Sequence, residues 1–396
     1  MLRFDRSLLT NSYLLIFGLT LLGFLAEYLL RPVIPLLIID RGGGAALIGL
    51  VTGVFALPSI GLRPMVGWLV DRWRQKRVLG VGTGLASVAP AGLLLPGIFP
   101  LIVTRFFQGS AWALFTVSTR TLMAQATPAT RRAEASAYFA AMPALAVLVA
   151  PGAGVVLYLA TGSIGPIVLA TALALIALVI ALKLPPELTP PIQRSTEGER
   201  GHLLGSFIEP AVLPATAMTA AFMAADTLFS VFPPIFVATV GEGIEALALY
   251  YPAYGLVSAI SLLVVGRISD RLDRGTAIRV GGIIAVVGLT VAILADGLVA
   301  FGVGAATYAV GASFAAAALG ALSMDQAPPQ RLGSAMATYS IGFQVAIGAG
   351  GVIFGPLITA FGFDIALASA LVLVMLVAAA SYRYADPRAV AGNGLR

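Results

Sequence analysis

Runs of about twenty apolar residues recur along the whole chain, each long enough to cross the ~30 Å hydrocarbon core of a bilayer. A segment in that core must satisfy its own backbone hydrogen bonds, and long uninterrupted runs do so as helices. Charged breaks between the runs predict twelve spans, at 12–38, 46–70, 78–96, 98–122, 135–160, 164–184, 208–238, 246–267, 277–295, 298–322, 333–360 and 363–384. Only 11% of the 396 residues are charged, against about 25% in soluble domains. No stretch outside the spans is long enough to bury a core of its own. The sequence therefore predicts an all-α integral membrane protein in the lipid bilayer. The polar start at Met1–Asn11 leads into a run with no small-residue cleavage site, so it reads as a retained span and not a signal peptide.

The positions of the lysines and arginines orient the chain, because basic loops stay on the cytoplasmic side. With both termini inside, twenty of the 24 basic residues fall on inner segments and the outer loops carry only Arg41. The net charge of +6 is thus topology, and nucleic acid is not the expected partner. The inner loop after span 2 reads Asp71-Arg72-Trp73-Arg74-Gln75-Lys76-Arg77. The polar, proline-rich segment 185–206 divides the chain into an N-terminal half, 1–184, and a C-terminal half, 207–396.

These halves repeat. Gly67-x-x-x-Asp71-Arg72 returns as Gly266-x-x-x-Asp270-Arg271, a shift of 199 positions. Glu27, eight residues before Pro35, returns as Asp226, eight before Pro234, at the same shift. Ala124-Gln125-Ala126-Thr127-Pro128 returns as Asp325-Gln326-Ala327-Pro328-Pro329. The pattern from Gly67 through Lys76 and Arg77 resembles motif A of the major facilitator superfamily, and the resemblance extends over essentially the whole chain. It implies two parallel six-helix halves with a site near the membrane midplane. In that family motif A latches the halves on the cytoplasmic side. This assigns gating to Gly67, Asp71, Arg72, Gly266, Asp270 and Arg271, with the glycines allowing close helix approach. Where motif A has a glycine three residues after its aspartate, this chain has Arg74 and Asp273. Arg105-Phe106-Phe107-Gln108-Gly109 resembles motif B, whose arginine assists proton transfer. Ala150-Pro151-Gly152-Ala153-Gly154 matches the antiporter motif C in part and, with Gly348-Ala349-Gly350-Gly351, points toward an exporter.

Charged side chains inside spans are costly and mark pathways or relays. Five lie more than two residues from a span end: Glu27, Arg31, Arg63, Arg105 and Asp226. Glu27 and Arg31, four residues apart, share a helix face and form either a proton-titrating pair or a structural ion pair. Asp226 has no basic residue near it in its span. Arg105 is the other candidate partner of Glu27. Glu27, Asp226 and Arg105 are the expected proton-coupling residues. Tyr28, Arg31, Gln108, Trp112 and Gln344 are the expected substrate contacts, and Arg63, just before Pro64, joins the gating set.

Absences exclude rival chemistry. There is no cysteine, so disulfides and thiolate metal sites are out. No G-x-x-x-x-G-K-[ST] loop is present for ATP. The one histidine, His202, lies in the central linker. The expectation is a non-enzymatic, cofactor-free secondary transporter acting by alternating access as a monomer. It would sit in a bacterial plasma membrane and export a small organic drug or metabolite against protons. Proton symport of a sugar or organic acid is the alternative, and a receptor or enzyme on the same fold the remote one.

Overall fold

The structure is a computed structural model that describes residues 11–72, 75–125, 132–185, 208–269, 271–328 and 332–384. Linker residues 186–206 and Asp270 lie outside the described residues, and of Asp71, Arg72 and Gly266 only the backbone is described. The helices are α1 (Asn11–Asp40), α2 (Ala45–Gly61), α3 (Arg63–Arg72), α4 (Gln75–Val88), α5 (Ile98–Gln125), α6 (Arg132–Thr161), α7 (Ile164–Lys183), α8 (Leu213–Ser230), α9 (Pro233–Val240), α10 (Leu247–Ser269), α11 (Arg274–Ile293), α12 (Leu298–Gln326), α13 (Leu332–Phe361) and α14 (Phe363–Tyr384). Among the described residues there is no strand. Ten helices are long and apolar enough to cross a membrane, and α2 is a shorter apolar helix. With α3 continuing α2, and the 23-residue α10, they form the twelve crossings that the apolar runs predict.

Three crossings depart from single straight helices, each at a proline. Pro64 has no N–H to give the preceding turn, and the second crossing breaks at Leu62 into α2 and α3. Bonds from Leu62 N–H to the Pro58 carbonyl (3.0 Å) and from Val66 N–H to the Leu62 carbonyl (2.7 Å) carry the chain through. The prolines at 233 and 234 end α8 and start α9 in the same way. After α4, Pro90 sits in a 3-10 turn, Ala89–Leu94.

By its contacts the chain forms two compact units, residues 1–37 with 54–196 and residues 38–53 with 197–396. In the first, α4 packs between α5 and α7, and α6 lies against α5 and α7. In the second, α12 packs on α10, α11 and α8, while α13 and α14 cover α8. The C-terminal end of α1 and the N-terminal part of α2 belong to this second unit, where Ala46 N–H donates to Thr359 Oγ1 on α13 (3.0 Å). The repeat shows in the turns. Gly162 (φ 63°) after α6 and Gly362 (φ 88°) after α13 are left-handed, and each donates its N–H four residues back, to Tyr158 and Ile358. This is the glycine C-cap, which a side chain would strain. On α7 Ile176, Val179 and Leu182 are exposed, as a lipid-facing surface requires.

Candidate functional site

Glu27 in the first unit and Asp226 in the second lie well inside a span, and the two are held differently. In the first unit, Glu27 on α1 and Arg105 on α5 form an ion pair, Nη1 to Oε1 3.6 Å, with side chains only 12% and 8% exposed. Arg105 is fixed from two further sides. Its Nη1 donates to Gln108 Oε1, one turn on, at 2.9 Å, and its guanidinium lies 4.2 Å from the centroid of the Phe55 ring on α2. Close approach makes this possible. A Cβ on Gly109 would run into the Phe55 carbonyl, so only glycine lets α5 lie against α2 here. Gly154, in the motif C-like segment, likewise presses α6 onto the Leu29 carbonyl of α1. A buried pair of this kind is held by its neighbours, because desolvation offsets most of its Coulomb attraction.

Arg31 does not pair with Glu27. Its guanidinium stacks 3.7 Å over the Tyr28 ring on its own helix, a cation–π contact that keeps it beside the pair without bonding to it. Trp112 packs edge-on against Phe24 (5.0 Å, 84°) and stacks on Phe115 (6.2 Å, 30°), so most of its surface is spent on packing. Arg63 donates from Nε to the Ser59 carbonyl at 2.9 Å, back along its own span.

In the second unit, Asp226 on α8 meets tyrosines. Tyr254 on α10 donates its hydroxyl to Asp226 Oδ1. Tyr250, one turn earlier, lies parallel to Tyr254 at 6.0 Å and donates to the Phe229 carbonyl at 2.8 Å. Tyr308 on α12 donates to the Phe222 carbonyl. Gln344 is half-buried on α13, and no hydrogen bond among the described residues ties it to this group.

The sequence reading missed Phe55 and all three tyrosines, since an aromatic in a greasy helix carries no signal of its own. The half-chain shift held one. Phe55 and Tyr254 are 199 positions apart, as Glu27 and Asp226 are.

The motif A residues divide. Close helix approach is not what Gly67 serves in this structure, because a Cβ built there meets nothing within 4 Å. Asp273, which replaces the motif's glycine, has φ −64° and N-caps α11, accepting from Thr276 N–H at 2.9 Å. Hydrogen bonds from the Thr276 hydroxyl and N–H hold its carboxyl below the ordinary aspartate value. The backbone at this position is extended (ψ 151°), so no glycine is needed there. Arg271 is exposed in the turn just before it.

A model of the Major Facilitator Superfamily matches residues 16–309. The Staphylopine export protein of Staphylococcus aureus (strain Mu50 / ATCC 700699) is 27% identical over 139 residues, which are 35% of this chain and 35% of that protein. The match thus spans about a third of that relative's length. Among solved structures, a bacterial homolog to the human lysosomal transporter Spinster, inward-facing and unoccupied, superposes with a TM-score of 0.79 at 16% identity, over 98% of this chain and 99% of that one. The nucleoside transporter NupG gives 0.76 at 12%, over 95% and 100%. A POT family transporter in complex with 5-aminolevulinic acid gives 0.76 at 14%, over 94% and 96%. At these identities the structural likeness shows the fold alone.

Proposed function

Since the chain belongs to the major facilitator superfamily, we propose that it is a secondary active transporter that exports a small organic molecule by alternating access, driven by protons. Family and fold are those of membrane transporters, and the chain is an integral membrane protein. The observation that carries the proton-coupled reading is the buried Glu27–Arg105 pair. A proton on Glu27 removes the charge that holds Arg105, and its loss restores it. That makes the pair a two-position element whose state depends on protonation, as a coupled transporter needs. Asp226 would be a second protonatable group. Tyr28, Arg31, Gln108, Trp112 and Gln344 would contact substrate. Arg63, Gly67, Asp71, Arg72, Gly266, Asp270 and Arg271 would gate the cytoplasmic side of a bacterial plasma-membrane monomer with both termini inside.

Export is supported by the resemblance to the staphylopine exporter and by the close α6–α1 packing at Gly154. The test is proton release by purified protein in detergent on adding a panel of small organic molecules, for wild type, Glu27→Gln and Asp226→Asn. Release lost in Glu27→Gln supports the proposal, whereas wild-type coupling in that variant ends it. One observation favours a second reading, proton symport of an organic acid. Arg31 makes no ion pair among the described residues and offers its charge to an anionic group. The direction of flux in oriented vesicles separates the two.

A further inference from the structure

A small cavity lies inside the first unit, between α1, α4, α5 and α7, and Glu27 is part of its wall. Thr83, Gln108 and Trp112 line it with Glu27, and Ala174 closes it on the α7 side. Its volume is about 40 Å³, a few times the roughly 10–15 Å³ that one water needs on this measure. Drug-sized ligands occupy pockets of about 300–1,000 Å³, so the size fits a few waters and no such ligand. An apolar cavity this small would stay dry, but this one has unmet donors. Gln108 Nε2 and, beside it, Arg105 Nε are fully buried and meet no protein acceptor among the described residues. Gln108 Oε1 is already taken by Arg105. Buried donors of this kind are satisfied by water. Glu27 is an acceptor on the same wall. The charged groups around it are Arg31 on its own helix and Arg105 on α5, while the α4 and α7 residues that line the cavity carry no charge.

We infer that this cavity is a water chamber, with water bridging Gln108 Nε2 and the Glu27 carboxyl, through which Glu27 gains and loses its proton. The delivery step rests on the titration of Glu27 proposed above, whereas the hydration of the chamber does not. Proton supply is thereby built into one unit; of the residues offered to substrate, Gln108 and Trp112 share the chamber wall, whereas Tyr28 and Arg31 are not part of it.

Trp112 reports on the chamber. With Trp68 and Trp73 changed to phenylalanine it is the single tryptophan of the three in the chain. In the full-length purified protein its fluorescence should brighten in D2O, as an indole next to water does. Ala174→Leu, which fills the cavity from α7, should abolish that response, and Ala177→Val should reduce it. After a pH jump, the part of proton uptake that Glu27→Gln lacks should slow in Ala174→Leu by roughly tenfold, the rate cost of one lost hydrogen bond in the path. A Trp112 that ignores D2O in the unfilled protein overturns the chamber, whatever becomes of the filling variants. A D2O response that Ala174→Leu abolishes, with proton uptake unslowed, overturns the delivery route. Equal uptake by wild type and Glu27→Gln sinks the coupling role of Glu27 and delivery with it, and leaves hydration to stand on the D2O result.

Discussion

Glu27 and Asp226 occupy matching places on α1 and α8, 199 residues apart, yet their surroundings have diverged. Glu27 faces a guanidinium held by Gln108 and a phenylalanine ring. Asp226 faces a phenol, with a second phenol stacked beside it. At the matching place on the neighbouring span, one unit has Phe55 under its arginine and the other has Tyr254 bonded to its aspartate. A proton arriving at Glu27 switches off an ionic contact. A proton arriving at Asp226 changes a hydrogen bond to a neutral partner. The first change frees a buried charge, while the second alters a bond between Asp226 and a neutral hydroxyl. If both carboxylates take up protons, as proposed, the two units would answer the same event unequally.

Substitutions can break this contrast, and the largest effect is expected in the first unit. Arg105→Leu leaves Glu27 buried without its ion partner and should cost about 3–5 kcal/mol, the usual penalty for half of a buried pair. Thermal unfolding in detergent reads it. Adding Glu27→Gln should recover most of the loss, and no recovery would mean that the pair is not what Arg105 serves. In the second unit, Tyr254→Phe removes one neutral donor from Asp226 and should cost about 1–3 kcal/mol. If it cost as much as Arg105→Leu, the contrast would fail. Phe55→Leu keeps an apolar, somewhat smaller side chain but loses the ring over Arg105, a change of about 1–2 kcal/mol for a desolvated cation–π contact. Its signature is coupling to Arg105 in a double-mutant cycle, which a packing defect alone would not show.

The smallest expected effect is at the loop before α11, where Asp273 stands 199 positions after Arg74. Asp273→Ala removes the α11 cap and should cost about 1 kcal/mol. Its carboxyl sits below the ordinary aspartate value of 3.8 because Thr276 bonds to the charged form. The folded chain therefore holds this proton less tightly than the unfolded one. The contribution is fully present above the unfolded value and is lost as pH falls toward the folded one. Wild type and Asp273→Ala should differ at neutral pH and converge in acid. A difference that persists in acid would mean the cap does not depend on its charge.

The twelve crossings were legible because bilayer thickness sets the length of an apolar run, and the breaks between runs are charged. The half-chain repeat was legible because Gly67, Asp71 and Glu27 have mates at one shift. The Glu27–Arg105 pair was within reach, since five charges in spans leave few ways to pair. What sequence did not show is which side of a helix meets which neighbour. A helix that is apolar all round has no periodicity to phase it, so Tyr250, Tyr254 and Tyr308 looked like any packed aromatic. Arg31 misled for a related reason. Its spacing from Glu27 suits an ion pair, but the Tyr28 ring lies nearer to its guanidinium. The helix breaks at Leu62 and Val231–Phe232 follow from prolines that were visible, whereas their effect on span continuity depends on the bonds that bridge them.

The most direct test of the account is an infrared pH-difference spectrum of the purified protein in liposomes, recorded for wild type, Glu27→Gln and Asp226→Asn. It reads carboxyl protonation without knowledge of the substrate. Subtracting the Glu27→Gln spectrum from that of wild type should leave a protonated-carboxyl band that comes and goes with pH, and subtracting it from that of Asp226→Asn should leave the same band. Identical spectra for wild type and Glu27→Gln would contradict this and return the Glu27–Arg105 pair to a purely structural role.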